Sequence, residues 1–371
     1  MEKLQVSSPL LFCFRPTKAI IGYRKRQRSI YDTRQVYDAE TYLTHDLAKE
    51  IRYCTLKPGL NMNKRYYTLN EHFRGFFGEK VIKVSLDAGL SCPNRDGTIS
   101  DGGCIFCSEK GSGDFAGQRG LSIREQFNQV RERTLKKWPK AKYIAYFQSF
   151  SATYGPEDYL ENLYQEALAL EDVVGISVST RPDCLNEAIL DVLEDLNKQT
   201  YLWVELGVQS VHNKTLDWLN RGHDFDCFLE GVNKLRQRNI QVCTHIIMGL
   251  PCETREEMFR TAQVISQIPI QGIKIHSLHI LRGTPLADLY SQGSLQLLSM
   301  EQYIDLVANI LEILPPNMII HRLMGDGPLN DVIAPMWTRR KWEVLNGIDQ
   351  EMERRGSFQG IHYNAKIPLT W

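Results

Sequence analysis

The chain has 371 residues, 43% of them hydrophobic and 24% charged, with 44 basic and 44 acidic side chains. These values describe a globular protein with a sizeable core and exclude a disordered, collagenous or fibrous chain. With no net charge and no stretch approaching ~18 uncharged apolar residues, neither bulk electrostatics nor a membrane span recruits its partners.

The zero net charge hides an asymmetry, because residues 1–60 hold 11 basic and 6 acidic side chains and the remainder holds 33 and 38. Up to residue 30, Lys3, Arg15, Lys18, Arg24, Lys25, Arg26 and Arg28 face a single acid, Glu2. A transit peptide has this character, so organelle import stays open; sparse serine and the short apolar run 9–14 point instead to a basic extension. A short helix is expected around 39–51, with Pro58-Gly59 as its breaker. The expected organisation is therefore an extension over 1–60, a main domain over 61–325 and a helical cap over 326–371. The nine cysteines are odd in number and mostly scattered, which is no disulfide framework and fits a reducing cytoplasm.

From residue 79 onwards strand-like and helix-like segments alternate. Strands are expected over 81–87, 143–149, 173–180, 201–209, 241–248, 272–281 and 318–323, several apolar almost throughout, as buried parallel strands are. Helices are expected over 122–138, 156–170, 185–197, 224–237, 254–268 and 299–314. Ser122 with Glu125 and Thr254 with Glu257 have capping-box spacing. The rhythm predicts an α/β fold, an incomplete (β/α)6-type barrel with its chemistry at the carboxyl ends of the strands.

Directly after the first strand comes Cys92-Pro-Asn-Arg-Asp-Gly-Thr, then Cys104-Ile-Phe-Cys107, a C-x11-C-x2-C cluster in a glycine-containing loop. A structural zinc asks for four ligands and usually paired CxxC or Cys/His units. Three thiolates are the number that holds a [4Fe–4S] cluster with one iron left open. The Gly111–Gly117 stretch is glycine-rich but follows no strand and lacks the Lys-Ser/Thr of a phosphate loop. No Ser/His/Asp or metalloprotease pattern is present, so hydrolase and kinase readings drop out.

A cysteine triad after the first strand of an incomplete α/β barrel resembles the radical S-adenosylmethionine (SAM) superfamily. Its wide first spacing is similar to the branch containing the elongator catalytic subunit. The resemblance implies that the open iron binds SAM, and that reductive cleavage yields a 5′-deoxyadenosyl radical that abstracts hydrogen from substrate. It also implies roles at the strand ends. Gln148 and Ser149 would contact the methionine portion of SAM, Gln148 being able to donate and accept together. Arg181, set at the sheet rim by Pro182, would reach a carboxylate, or else pair with Asp183. Glu205, Gly207 and Gln209 alternate on one face of the fourth strand and would lie near the SAM ribose or the substrate. Glu205 alternatively pairs with Arg181. Gly249 would lie against adenine through its backbone. On the sixth strand, Lys274 and His276 share one face and His279 takes the other, making His276 the candidate for a substrate or proton contact and His279 no co-ligand.

The resemblance extends over 66–369, through Tyr67-Thr-Leu-Asn-Glu-His72, Phe77-Gly78, Gly113-Asp-Phe-Ala-Gly117, Arg322-Leu-Met-Gly-Asp326 and Ala334-Pro335. These segments are similar to the bacterial MnmL family. That resemblance implies a tRNA substrate, with carboxymethylaminomethyluridine at the wobble position converted to aminomethyluridine. It further implies an electron donor such as flavodoxin or ferredoxin, and a separate downstream tRNA methyltransferase. Basic stretches at Arg131–Lys142, Arg339-Arg340-Lys341-Trp342 and Arg354-Arg355 are candidates for phosphate contacts, or else solvated faces. A small-molecule or peptide substrate is the alternative within the same chemistry. A non-enzymatic iron–sulfur sensor is the third reading, and a polar column inside a barrel argues against it.

Overall fold

A computed structural model describes residues 64–293 and 295–365. The extension and short helix expected within 1–60 lie outside the described residues. The chain enters through α1 (Leu69–Phe77) and then alternates strands with helices. The strands are β1 (Val81–Leu86), β2 (Lys142–Phe147), β3 (Val173–Thr180), β4 (Tyr201–Gln209), β5 (Gln241–Met248), β6 (Gly272–Ser277) and β8 (Ile319–Arg322). All seven are parallel, each beside its predecessor in chain order, and they curl into a half-barrel.

The principal crossover helices are α2 (Ile123–Leu135), α3 (Glu157–Leu168), α4 (Glu187–Gln199), α6 (Phe225–Gln237), α7 (Arg255–Gln267) and α9 (Met300–Ile313), with the single-turn α5 (Asn213–Trp218) preceding α6. The Ser122–Glu125 and Thr254–Glu257 capping boxes are both formed, the side-chain oxygen accepting from one end and the glutamate from the other. Each box satisfies two of the backbone N–H groups that a helix start leaves orphaned. Thr68 with Glu71 and Ser299 with Gln302 do the same for α1 and α9. The helices lay apolar faces on the sheet's outer surface: Leu160, Leu163 and Tyr164 from α3, and Leu190, Leu193 and Leu196 from α4. The carboxyl-terminal helix α10 (Lys341–Arg354) buries Val344, Ile348 and Met352 in this same core. At the amino ends of the strands Trp203, Cys243 and Ile319 form an apolar plug, with the His321 ring 4.6 Å from Trp203.

The sixth strand is shorter than its sequence pattern predicts. It stops at Ser277, level with Met248, the last residue of β5, whose carbonyl takes one more bond from Leu278 N. Beyond that point Ile280–Leu281 (β7) has no parallel neighbour to continue with and pairs antiparallel with Val332–Ala334 (β9). The short α8 (Pro285–Ser291) follows β7.

Gly175, paired with Tyr201 of β4, leaves no room for a side chain, since a Cβ there would stand 2.5 Å from the Tyr201 carbonyl oxygen and 2.8 Å from Ile144. Gly175→Ala must push backbone apart, and an overpacked site of this kind costs about 1–3 kcal/mol. A urea-unfolding midpoint lowered accordingly is the expected result.

Candidate active site

A cavity of about 580 Å³ opens at the carboxyl ends of the strands, as expected of a parallel α/β barrel. Cys92, Cys104 and Cys107 all line it, and none is in a disulfide. Their loop is held by a small set of polar side chains. Arg95 Nη2 donates to the carbonyls of Cys107 and Ser108 at 2.9 and 2.7 Å, stitching the first arm of the loop to the CxxC arm. It crosses directly over Gly103, where a Cβ would meet it at 2.8 Å. Asn94 Nδ2 donates to Asn220 O at 2.6 Å, and Asn220 Nδ2 to Gly103 O at 2.8 Å, so the loop is tied to the segment following β4.

Arg221 completes that tie. Its Nη2 donates to Gly207 O on β4 at 2.8 Å, and its Nη1 lies 3.6 Å from Cys104 Sγ, which Asn94 Nδ2 also approaches at 3.6 Å. Arg95, Arg181 and Arg221 thus bring three of the guanidinium groups that line the cavity containing the three thiols. Burial pushes the Cys107 thiol up, and the neighbouring Cys104 adds to the shift. Positive charge beside sulfur favours thiolates, the form in which cysteine binds metal. Among the described residues no three His, Cys, Asp or Glu side chains already stand at metal-holding spacing. The thiols nonetheless line one cavity, and the donors aimed at Cys104 fit an anionic iron–sulfur group.

The strand-end candidates divide into two sets. Gln148, Arg181, Gln209 and His276 line the cavity. Gln148 Nε2 donates to Ser112 O at 2.9 Å. Gln209 closes β4 at φ 73°, a left-handed conformation costly for a residue with a side chain, beside an irregularity in the β4–β5 pairing. Arg181 resolves the choice posed by its sequence: Nε and Nη2 bind both Asp183 oxygens at 2.9 and 2.6 Å, while Nη1 is buried without a hydrogen-bond partner. Ser149, Glu205 and Gly249 are not part of the lining. Ser149 is buried behind Gly113, where a Cβ would fall 2.1 Å from its hydroxyl. Gly249 has φ +91°, and its N–H points to Met258 Sδ at 3.3 Å, so its glycine serves a turn.

Glu205 corrects a second expectation. It does not pair with Arg181. Fully enclosed in the lumen, its Oε1 accepts from Lys83 and from Ser177 Oγ at 3.0 Å, and its Oε2 from Lys274 and from His245 Nε2 at 2.9 Å. Burial raises its pKa, but Lys274 and Lys83 outweigh that and hold the carboxyl well below the usual range. Burial brings Lys274 down to about 8 despite Glu205, so it is still largely protonated near pH 7. Lys274 also donates to Tyr146 OH at 2.9 Å. Lys274, His245 and Tyr146 carry the hub's influence to the cavity wall, which Glu205 itself does not reach.

The end of β6 at Ser277 overturns the expected separation of its histidines, for His276 and His279 both line the cavity. Burial holds His245 down to about 4 and lowers His276 and His279, leaving neutral rings at neutral pH. The residues missed in the sequence are Asn94, Arg95, Asn220 and Arg221. Their only signal is polar residues near cysteine or glycine, which says nothing of which backbone or sulfur each will meet, 12 positions away for Arg95 and over a hundred for Asn94, Asn220 and Arg221.

A half-barrel of seven parallel strands with a cysteine-lined cavity at its carboxyl ends is the architecture of enzymes that run radical chemistry from an iron–sulfur cluster and SAM. The chain belongs to the radical SAM superfamily: residues 95–265 match the Radical SAM superfamily and residues 270–354 the Radical SAM C-terminal domain. Its cofactors are a [4Fe–4S] cluster and SAM. It is 54% identical over 303 residues to the uncharacterized protein YtqA of Bacillus subtilis, covering 82% of this chain and 94% of that one. Protein YhcC of Escherichia coli is 38% identical over 281 residues, with 76% and 90% covered. The fold is similar to that of the archaeal Methanocaldococcus infernus Elp3 with an N-terminal deletion, with a TM-score of 0.58 at 17% identity over 76% of this chain and 64% of that one.

The enclosed Glu205 yields a direct test. Glu205→Gln leaves Lys83 and Lys274 facing each other without a counter-charge, a loss of about 3–5 kcal/mol for a broken buried pair. Adding Lys274→Met is expected to return part of it, measured by chemical denaturation of both variants.

Proposed function

We propose that this radical SAM enzyme acts on the wobble uridine of tRNA, converting carboxymethylaminomethyluridine to aminomethyluridine. The observation that carries the proposal is the cavity itself, lined by three thiols and by a cationic, histidine-rich wall. Cys92, Cys104 and Cys107 would hold the cluster, with Arg221 and Asn94 donating to the sulfur of Cys104. Gln148, Arg181 and Gln209 would hold SAM, the free Nη1 of Arg181 being a ready donor. Bound there, the cluster and SAM supply a radical that abstracts hydrogen, and a carbon between nitrogen and a carboxylate is well suited to lose one. The half-barrel and its enclosing loops keep water from that step.

The cavity mouth supports an RNA substrate. Thr338, Arg339 and Lys341 line it, and Trp342, one residue on, is 74% exposed. An exposed aromatic beside cations suits a stacked base and a phosphate. The denser basic stretch over 131–142 does not reach this mouth. It leads into Lys142 at the amino end of β2, the far end of the barrel, and Arg131 and Lys142 are both paired with Asp172. No helix of the described residues is long and apolar enough to cross a membrane. The proposed setting is the cytoplasm, with a flavodoxin or ferredoxin as reductant and a tRNA methyltransferase acting next.

Two measurements test this reading. Cys104→Ala is expected to abolish the cluster's visible absorbance and all SAM cleavage; retained cleavage contradicts the cluster assignment. Digested tRNA from cells lacking this gene should show accumulated carboxymethylaminomethyluridine and depleted aminomethyl products by mass spectrometry. An unchanged profile, in a strain without a redundant enzyme, rejects the tRNA substrate.

A further inference from the structure

The cavity wall built by β5, β6 and the end of β8 has more positive charge than its own carboxylates neutralise. Lys274 is in register with His245 on β5 and with Arg322 on β8, and all three line the cavity. Lys83 and Lys274 share the one carboxylate of Glu205. Among the described residues the one carboxylate that Arg322 approaches is Asp326, at 3.7 Å, and that oxygen already accepts from Lys341 at 2.7 Å. Lys274, Arg322 and Lys341 on this side therefore draw on two carboxylates, Glu205 and Asp326, and Lys83 from β1 takes a share of Glu205. The histidines add no charge, because burial keeps them neutral.

The same wall also lacks hydrogen-bond partners. Nε2 of His276 and Nε2 of His279 are both buried with none. An unpaired buried polar atom costs about 1–3 kcal/mol, so two on the wall that carries the Arg322 guanidinium point to a polar ligand that pairs with them. Gly325 and Gly327 let the chain after β8 close on these rings: a Cβ at Gly325 would stand 3.2 Å from His279 and 3.3 Å from His276, and one at Gly327 2.5 Å from His279. The wall is therefore shaped as well as charged. Leu278 and Leu281 add apolar lining beside these groups.

We propose that this wall is the recognition subsite for a carboxylate carried by the substrate, with Arg322 as its principal contact and His276 and His279 flanking it. The inference rests on the proposed function, in which the group removed from the uridine bears such a carboxylate. Guanidinium and carboxylate match in shape and charge, and the pair can be bidentate. The subsite then makes the enzyme select the carboxymethyl form and release the bare aminomethyl product, which no longer carries the charge it binds.

The test uses the reconstituted full-length enzyme and two anticodon stem-loop RNAs. One carries 5-carboxymethylaminomethyluridine; in the other that carboxylate is capped as its primary amide. The wild type is expected to prefer the acid by at least about tenfold in kcat/KM, chiefly through KM, as for a hydrogen-bonded charge. Arg322→Gln should bring the preference close to unity, and Arg322→Lys should retain part of it. The SAM dissociation constant, measured for each variant, separates the two possible sources of a carboxylate. An equal rate on acid and amide in the wild type overturns the proposal, as does an undiminished preference in Arg322→Gln. So does weakened SAM binding in that variant, which would assign Arg322 to the cofactor's own carboxylate. Should the wild type turn over neither RNA, the tRNA reading fails alone and the subsite is tested with ¹³C-labelled N-methylglycine. Line broadening by the wild type that is lost with N-methylglycinamide and with Arg322→Gln supports the subsite; equal broadening in all three overturns it.

Discussion

The structure depends on a single buried carboxylate. Glu205 stands in the lumen, and its four contacts come from four other strands: Lys83 on β1, Ser177 on β3, His245 on β5 and Lys274 on β6. Hydrophobic burial holds the helices to the outside of the sheet but sets no radius for its inside. A carboxylate whose acceptor positions are all occupied sets that radius, because widening the lumen would leave charge uncompensated at low dielectric. The cavity wall above inherits this order. Lys274 and His245 are directed by Glu205 below while facing the cavity above.

A second constraint links the loop to the barrel. The cysteine loop follows β1, yet its closest tethers, Asn220 and Arg221, follow β4. Arg221 reads a carbonyl of β4 and a sulfur of the loop with one guanidinium. The middle strand of the sheet therefore positions both the lumen hub and the thiol nearest its own exit.

Much of this was legible in the sequence, and for identifiable reasons. The strands of the sheet are runs of apolar residues buried on both faces, and the helix starts carry their own capping partners three residues away, so both signals are local. The cysteine triad is legible because its spacing in one loop limits the chemistry it serves. Partner identity was not legible. Glu205 was visible as a polar residue on an apolar strand, but that its mates were Lys83 and Lys274 rather than Arg181 follows from register across strands. The break in β6 was hidden because apolar residues recur through 272–281, at Ile273, Ile275, Leu278 and Ile280, while its pairing partner runs out at Met248. The basic stretch over 131–142 was conspicuous in composition, and only the direction of the barrel strands places it at the end opposite the cavity.

The order of strands across the sheet is the order in which they are synthesised. A nascent chain can therefore extend its sheet edge by edge on leaving the ribosome, without waiting for a distant strand to be inserted between two earlier ones. The charge balance of the lumen follows a different schedule. Glu205 meets Lys83 from the first strand at once, but Lys274 is translated 69 residues later than its acceptor. Until then the growing barrel carries a half-compensated interior, and the arrival of β6 completes the electrostatic closure of the sheet.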